Sequence, residues 1–458
     1  MTNGISGFQN VFFIGVAGVG MSAVAQYLRG IGIRVSGSDR YFKNDEYNKT
    51  REQLEQEGIR CFEQDGSGIT DSTDLVVVST AIEDTVPEVR KARELGVKII
   101  KRSELLALIA KSKKTIAVAG TSGKSTTAAM IYQIFTDAGL SPGIISGAGL
   151  TGIIKQGKIG NAAVGTGEWL IIEADESDGS VVLYEPEIGL LLNVDRDHQE
   201  TDELMELFSV FKSNSMSLFI VNQSNTLAKK LSANVDVDFG FENEAAGCNA
   251  KDFRQDGLKL SFTIEEQRFE MNSLGRHSVE NAAAAVAVSR QAGISLAQCA
   301  ESLAGYEGIY RRHQILGEKN GIWVIDDYAH NPAKCAASIR ACQPLADKVI
   351  AWFQPHGYGP TKFLRNDFVE EISSALRSQD EIWMSEIFYA GGTAVKDISA
   401  NDLIEDLKAK GKNAHFIENR NDLLEALRPE LKAGAVLLLM GARDPGLEDF
   451  TRKLFNDL

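Results

Sequence analysis

The residues with the clearest chemical purpose are Gly120, Thr121, Ser122, Gly123, Lys124, Ser125 and Thr126, which follow the run Thr115-Ile-Ala-Val-Ala119 and open a helix-length stretch. A strand that empties into a glycine turn and then a helix aims its backbone N–H groups at one spot, where a phosphate fits. Lys124 adds a mobile positive charge and the Ser125 hydroxyl is placed to ligate Mg2+ on the phosphates, so the stretch predicts nucleoside triphosphate chemistry. The strict eight-residue phosphate-loop pattern asks for glycine at position 118, which is valine here; the glycine stands at 120. A plain strand-turn-helix is the competing reading, and Gly-Lys-Ser-Thr after a Val/Ala strand favours the phosphate.

A second glycine-rich turn, Gly15-Val-Ala-Gly18-Val-Gly20, precedes a helical stretch, and Asp39 ends the next strand in Ser36-Gly-Ser38-Asp39. Such glycines let backbone approach a pyrophosphate, while an acid about 20 positions on suits a ribose hydroxyl. The spacing is Gly-x-x-Gly-x-Gly rather than Gly-x-Gly-x-x-Gly, so three readings stand: a nucleotide diphosphate, which we prefer, a redox dinucleotide, or a structural turn. Acidic clusters end two further strands, Glu173-Ala-Asp-Glu-Ser-Asp178 and Asp195-Arg-Asp-His198-Gln, on the edge where the phosphate loop opens. A carboxylate and an imidazole there, Glu173 and His198, can hold Mg2+ between nucleotide and acceptor. Asp178 and Asp195 read by default as helix caps or solvated acids.

The elements that must position these groups alternate strand and amphipathic helix, the pattern of parallel sheets covered by helices. Three α/β domains are expected: a Rossmann-like domain over 1–110, a central P-loop ATPase-type domain over 111–316, and a Rossmann-like domain over 317–458. The central domain carries an antiparallel extension from Val235 to about Asn272, with a hairpin turn at Asp256-Gly257. Length permits two to four domains, and 43% hydrophobic with 24% charged residues is ordinary for a soluble protein. A formal charge of -15 repels a polyanionic backbone and argues against nucleic acid as the main partner. No apolar run approaches the roughly 20 residues of a membrane span, and the N-terminus has no signal-peptide pattern, so a cytoplasmic location is expected. The five cysteines are scattered and never spaced Cys-x-x-Cys, which suggests neither disulfides nor zinc.

In chain order stand Gly15-Val-Ala-Gly-Val-Gly-Met21, Ser36-Gly-Ser-Asp39, Ser79-Thr-Ala-Ile82, Gly120 to Thr127, Glu173 to Asp178, Asp197-His198, Gly275-Arg-His277-Ser-Val-Glu-Asn281, Arg311-Arg312, Asp326-Asp327-Tyr328-Ala-His330-Asn-Pro332 and Phe353-Gln-Pro-His356. Singly some are weak, but in this order the chain, from about residue 9 onward, resembles the Mur ligases, the ATP-dependent amide-forming family that builds the peptide stem of peptidoglycan. Four of the six histidines fall inside these motifs. The opening loop with Ser-Gly-Ser-Asp is similar to the branch that acts on UDP-N-acetylmuramate itself.

The resemblance implies that Gly18, Gly20, Ser38, Asp39 and Ser79 surround the UDP-sugar, that Lys124 and Ser125 hold phosphate and Mg2+, and that Glu173 and His198 serve the metal. It places His277 and Asn281 at the adenine end of ATP, Arg312 at the γ-phosphate, Asp327 at the ribose, and Tyr328 and His330 near the incoming amino acid. The implied reaction activates the UDP-N-acetylmuramate carboxylate as an acyl phosphate and transfers it to an amine, L-alanine in the branch most resembled, with His198 or His330 assisting deprotonation. A tripeptide-recycling ligase and a relative with another acceptor are the near alternatives.

Departures bear on the acceptor. Ser122 stands where the alanine-adding branch usually has histidine, and Phe-Gln-Pro-His356 continues Gly357-Tyr-Gly-Pro360 in place of Arg-Tyr-Thr-Arg, so a bidentate carboxylate clamp is missing there. Lys362 or Arg365 is expected to compensate, or the acceptor differs. Two readings of other classes remain: a nicotinamide dehydrogenase, which leaves Gly-Lys-Ser idle, and a catalytically silent UDP-sugar or nucleotide binder, which has no need of Lys124, Glu173, His198 and Arg312 together.

Overall fold

The computed structural model describes residues 5–43, 46–79, 82–195, 201–389 and 395–458. It contains four sheets that follow one another along the chain. The first comprises β1 (Asn10–Ile14), β2 (Arg34–Ser38), β3 (Arg60–Phe62), β4 (Leu75–Val78) and β5 (Lys98–Lys101), ordered β3-β2-β1-β4-β5 and parallel throughout. The order reverses beside β1, whose C-terminal end carries the Gly15 to Gly20 turn and the helix Val19–Gly30. Strands buried on both faces need continuous apolar runs. In β1, Val11 and Phe13 enter one core with Val24 and Leu28, while Phe12 and Ile14 enter another with Val76 and Val89.

The second sheet comprises β6 (Lys114–Ala119), β7 (Gly143–Ile145), β8 (Ala162–Ala163), β9 (Trp169–Glu173), β10 (Ile188–Leu191) and β11 (Leu218–Val221). Its order is β11-β10-β6-β9-β7-β8, with only the edge strand β8 antiparallel. The strand feeding the phosphate loop therefore lies between β9 and β10, the two strands whose ends carry the acidic clusters. A third sheet, β12 (Phe239–Phe241), β13 (Cys248–Asp256), β14 (Lys259–Ile264) and β15 (Gln267–Asn272), has short turns at 257–258 and 265–266. The Asp256-Gly257 turn falls where the sequence puts it, and β12 adds to β13 in parallel.

The fourth sheet comprises β16 (Gln314–Lys319), β17 (Ile322–Asp327), β18 (Lys348–Gln354), β19 (Glu381–Ser385), β20 (Asn413–Ile417) and β21 (Ala435–Gly441), ordered β16-β17-β21-β18-β19-β20. Only β16 is antiparallel. Alternation assigns each side chain to one face: Val349, Ala351 and Phe353 join one core, Ile350 and Trp352 the other. By contacts the chain forms two compact units, Met1–Asp252 with Phe262–Glu270 and Val279–Ile309, and Phe253–Ser261 with Met271–Ser278 and Tyr310–Leu458. Among the described residues no helix is long and apolar enough to cross a membrane.

Candidate active site

In the first unit the loop after β6 is shaped by two glycines in left-handed backbone, Gly120 (φ 134°) and Gly123 (φ 84°). At both positions a Cβ would crowd a neighbour: Asn193 N at 3.1 Å from Gly120, and Asn281 Oδ1 at 2.5 Å from Gly123. Asn281 is buried and its amide packs directly on the loop. Helix Lys124–Asp137 starts at once, and its first satisfied loop-facing amide is that of Thr127, donating to Gly123 O at 2.9 Å. The amides of Lys124, Ser125 and Thr126 are the open first turn that an anion seeks.

Lys124 Nζ donates to Gly120 O and to Glu176 Oε2, each at 2.7 Å, with Asp175 at 3.9 Å. Burial alone would lower its pKa, but the carboxylates of Glu176, Asp175 and Glu173 outweigh that and hold it above the ordinary lysine value. Glu173, at the end of β9, accepts from Ser125 Oγ (2.9 Å), Ser146 Oγ (2.7 Å) and Gly147 N (2.6 Å). Asn193, beyond β10, clamps the other side of the loop: its Oδ1 accepts from Thr121 Oγ1 (2.8 Å) and Ser122 N (2.9 Å), and its Nδ2 donates to Ser122 O (3.1 Å). Asp178 accepts from Ser180 N and lies 3.7 Å from Arg102, and Asp195 accepts from Asn225 Nδ2, so both make local bonds. His198 lies outside the described residues, as do Asp197, Thr80 and Ala81.

At the first sheet, Gly15 N and Val16 N donate to Ser38 O at 2.8 and 3.0 Å, which ties the glycine turn to the end of β2. Asp39 is buried, with Oδ2 accepting from Ala17 N (3.0 Å) and Oδ1 from Tyr41 N (3.1 Å). Burial pushes its pKa up, against those amides and Arg40. In this structure Asp39 thus braces the turn. Ser38 Oγ beside it is fully buried without a hydrogen-bond partner, a polar atom left over next to the turn. Gly18 is exposed, Gly20 packs under Arg102, and Ser79 is half-buried at the end of β4.

In the second unit, Arg311 (φ 54°) and His313 (φ 44°) are both left-handed, a strain of roughly 1–3 kcal/mol each in non-glycine residues. The bend separates the adjacent arginines. Arg311 is buried and grips Asp326 through Nε (2.9 Å) and Nη2 (3.3 Å) and Gly441 O through Nη2 (3.0 Å). Arg312 lies with Cζ 5.1 Å from the Tyr328 ring centroid. Asp327, on the opposite face of β17, accepts from His313 N (3.1 Å), Tyr328 N (3.0 Å) and Ser338 Oγ. Burial pushes its pKa up, but His313, Ser338 and Arg312 outweigh that and leave it below the ordinary value.

His330 Nδ1 lies 2.9 Å from Tyr328 O. A carbonyl only accepts, so the neutral ring carries its proton on Nδ1 and offers the Nε2 lone pair. Burial, then Lys334, lowers its pKa to about 4. His277 stacks near His313, centroids 5.1 Å apart, and burial and His313 lower its pKa to about 3. The Lys362 and Arg365 side chains, expected as substitutes for the missing arginines, are engaged by Asp397 and, at 2.7 Å, by Asp406.

Family models described as "Mur ligase family, catalytic domain", "Mur ligase middle domain" and "Mur ligase, glutamate ligase domain" match residues 10–114, 118–289 and 311–443. The chain belongs to the Mur ligase family. It is 35% identical to the UDP-N-acetylmuramate--L-alanine ligase of Carboxydothermus hydrogenoformans over 448 residues, covering 94% of this chain and 93% of that one. It is 34% identical to the protein of the same name from Synechococcus sp., covering 95% and 94%. Among solved structures it is similar to the UDP-N-acetylmuramate-alanine ligase of Thermotoga maritima, with TM-score 0.80 and 25% identity over 98% of each chain. A murein peptide ligase from Psychrobacter arcticus shares the fold at TM-score 0.67, 21% identical over 98% of each chain.

Glu176, Asn193 and Ser146 touch this site without having been singled out as site residues from the sequence. A signal did exist for Asn193: any polar residue just past a strand that neighbours the phosphate-loop strand falls on the loop's edge. Ser146, past β7, has no such direct neighbour, since β9 intervenes.

Proposed function

We propose that this chain is an ATP-dependent ligase that joins an amino acid, L-alanine first, to the carboxylate of UDP-N-acetylmuramate through an acyl phosphate, in cytoplasmic peptidoglycan synthesis. The observation that carries this reading is the convergence of Lys124, Ser125 and Glu173 on an open-amide loop at one sheet edge, in a chain similar end to end to ligases of that name. Residues 1–110 hold the UDP-sugar through Gly18, Gly20, Ser38, Asp39 and Ser79, residues 111–316 hold ATP, and residues 317–458 are the C-terminal ligase domain.

The γ-phosphate sits on the loop amides and on the Lys124 ammonium, which has one N–H beyond those given to Gly120 and Glu176. The sugar carboxylate attacks phosphorus in line and the β–γ bridging bond breaks to release ADP; Lys124 and Arg312 offset the charge growing on the phosphoryl oxygens. The neutral amine then attacks the acyl carbon, the bond from that carbon to the phosphate oxygen breaks, and the proton given up by nitrogen leaves with the phosphate. Ser125 Oγ and the Glu173 carboxylate, 2.9 Å apart, are hard oxygen donors that fit Mg2+ together with phosphate oxygens, and His198 completes the set in this reading. When bound, Mg2+ supplies Lewis-acid neutralisation of the phosphates. His330, neutral with Nε2 open, accepts a hydrogen bond from the amine rather than serving as a strong base, since its pKa is about 4.

A second acceptor is favoured by one observation: Gly357 and Pro360 leave no cation at those positions, and Lys362 and Arg365 are held by aspartates. The test is phosphate release and product mass with ATP, Mg2+ and UDP-N-acetylmuramate against L-alanine, glycine, L-serine and L-Ala-γ-D-Glu-meso-diaminopimelate. L-Alanine is expected to give the fastest amide formation. If no acceptor couples while ATP still binds, the ligase reading gives way to a silent nucleotide or UDP-sugar binder.

A further inference from the structure

Beyond the C-terminal ends of β18 and β19 the chain keeps two segments side by side. His356 and Phe388 form a parallel bridge, Gly357 N donates to Phe388 O at 2.9 Å, and Phe388 N donates to Pro355 O at 2.8 Å. That register brings Tyr358 and Tyr389 together, ring centroids 5.4 Å apart at 61°. Lys396 Nζ lies 4.9 Å from the Tyr389 centroid and 5.8 Å from that of Tyr358. The same edge holds His356, its ring 5.7 Å from that of His330, so the tyrosine pair continues the aromatic line Tyr328, His330, His356.

Three cations stand here, and two are neutralised within the fold: Lys362 by Asp397 and Arg365 by Asp406. Lys396 has no carboxylate partner among the described residues and is steadied by π faces instead. A cation–π contact fixes an ammonium without cancelling its charge, contributing only about 0.5–1 kcal/mol at an exposed site, so its N–H donors stay available to an anion. Position 357, with φ 74°, has positive-φ backbone in which a side chain is strained.

We propose that Lys396 binds the carboxylate of the incoming amino acid, with Tyr358 and Tyr389 holding the ammonium in place. This rests on the ligase reading above and names the group that recognises the acceptor. An ammonium is a point charge rather than a planar fork, so it asks for a carboxylate without fixing its orientation.

Steady-state kinetics on the full chain test it, with wild type, Lys396→Met and Lys396→Arg, using L-alanine and L-alaninamide as acceptors. Losing a charge-assisted hydrogen bond at an exposed site is expected to raise the KM for L-alanine roughly 10-fold or more in Lys396→Met, with KM for ATP and for UDP-N-acetylmuramate unchanged. The wild-type preference for L-alanine over its amide should collapse in Lys396→Met and return in Lys396→Arg. An unchanged KM with the preference retained, including where only the melting temperature moves, overturns the assignment of Lys396 alone. If the wild type couples no amino acid at all, the ligase reading falls and this assignment falls with it.

Discussion

Replacing Glu176 by Gln isolates the cost of holding Lys124 ready. In the structure the Lys124 ammonium gives one N–H to Gly120 O and one to Glu176 Oε2, each at 2.7 Å, and the Glu176 side chain is only 9% exposed, so solvent screens the pair little. A phosphate arriving at the loop competes with that carboxylate for the same charge. Glutamine keeps the shape and still accepts from the ammonium, so the change removes the ion–ion attraction and leaves an ion–dipole bond, a difference of about 1 kcal/mol within the roughly 1.5–3 kcal/mol span of bonds to charged groups. Asp175, 3.9 Å from the ammonium, stays and limits the gain. The net of about 1 kcal/mol or somewhat more corresponds to roughly 5- to 10-fold tighter nucleotide binding, since 1.4 kcal/mol is tenfold. Calorimetry with a non-hydrolysable ATP analogue at fixed Mg2+ measures it, and the melting temperature of the free protein is expected to drop in the same variant. Unchanged or weaker nucleotide binding in Glu176→Gln would refute the claim that this carboxylate competes with phosphate.

Two further outcomes follow from groups in the second unit. Arg311→Met leaves Asp326 buried without its cation and is expected to cost about 3–5 kcal/mol in urea unfolding, most of which the double variant Arg311→Met/Asp326→Leu recovers; a loss below about 1 kcal/mol in the single variant contradicts the ion pair's role. His277 and His330, held at about 3 and about 4 against an ordinary value near 6.5, stay neutral from pH 5 to 8 in an NMR titration. Both take up protons in the unfolded chain first, so their share of stability is full above pH 6.5 and is lost as pH falls through 4; an imidazole of either residue titrating near 6.5 rules the burial out.

Much of the scaffold was legible because the strands are buried on both faces and so write themselves as apolar runs such as Asp74-Leu-Val-Val-Val and Ala435-Val-Leu-Leu-Leu-Met440. The strand, glycine turn and helix over 114–137 were legible because a Val/Ala run that ends in Gly-x-x-Gly-Lys-Ser-Thr marks both boundaries. Short strands were not: β3, β7 and β8 have two or three residues each, too few for a period to register. Nor was the partner of Lys124, because Glu173 and Glu176 stand three apart on one acidic segment, and only the folded loop shows that the first faces Ser125 and the second the lysine.

The doublets Arg311-Arg312 and Asp326-Asp327 show where residue types stop and geometry begins. On a strand, neighbours face opposite sides, so of the two aspartates only one can face any given ligand. Asp326 takes the side of Arg311 and Thr451 and is spent on a buried pair, while Asp327 takes the side of His313 and Ser338. The arginines are not on a strand, and their separation needs the left-handed backbone at 311 and 313. That backbone turns Arg311 onto Asp326, its Cζ 5.5 Å from the Tyr328 centroid, and lays Arg312 over the same ring at 5.1 Å, near enough to Asp327 to help lower its pKa. Lys396 is held over Tyr389 in the same manner. Both cations rest on aromatic faces, while Lys362 and Arg365 beside Lys396 are closed by aspartates. In the proposed ligase reading these two cations serve two anions, Arg312 the phosphoryl group and Lys396 the carboxylate, and an acid-amino-acid ligase has to handle both.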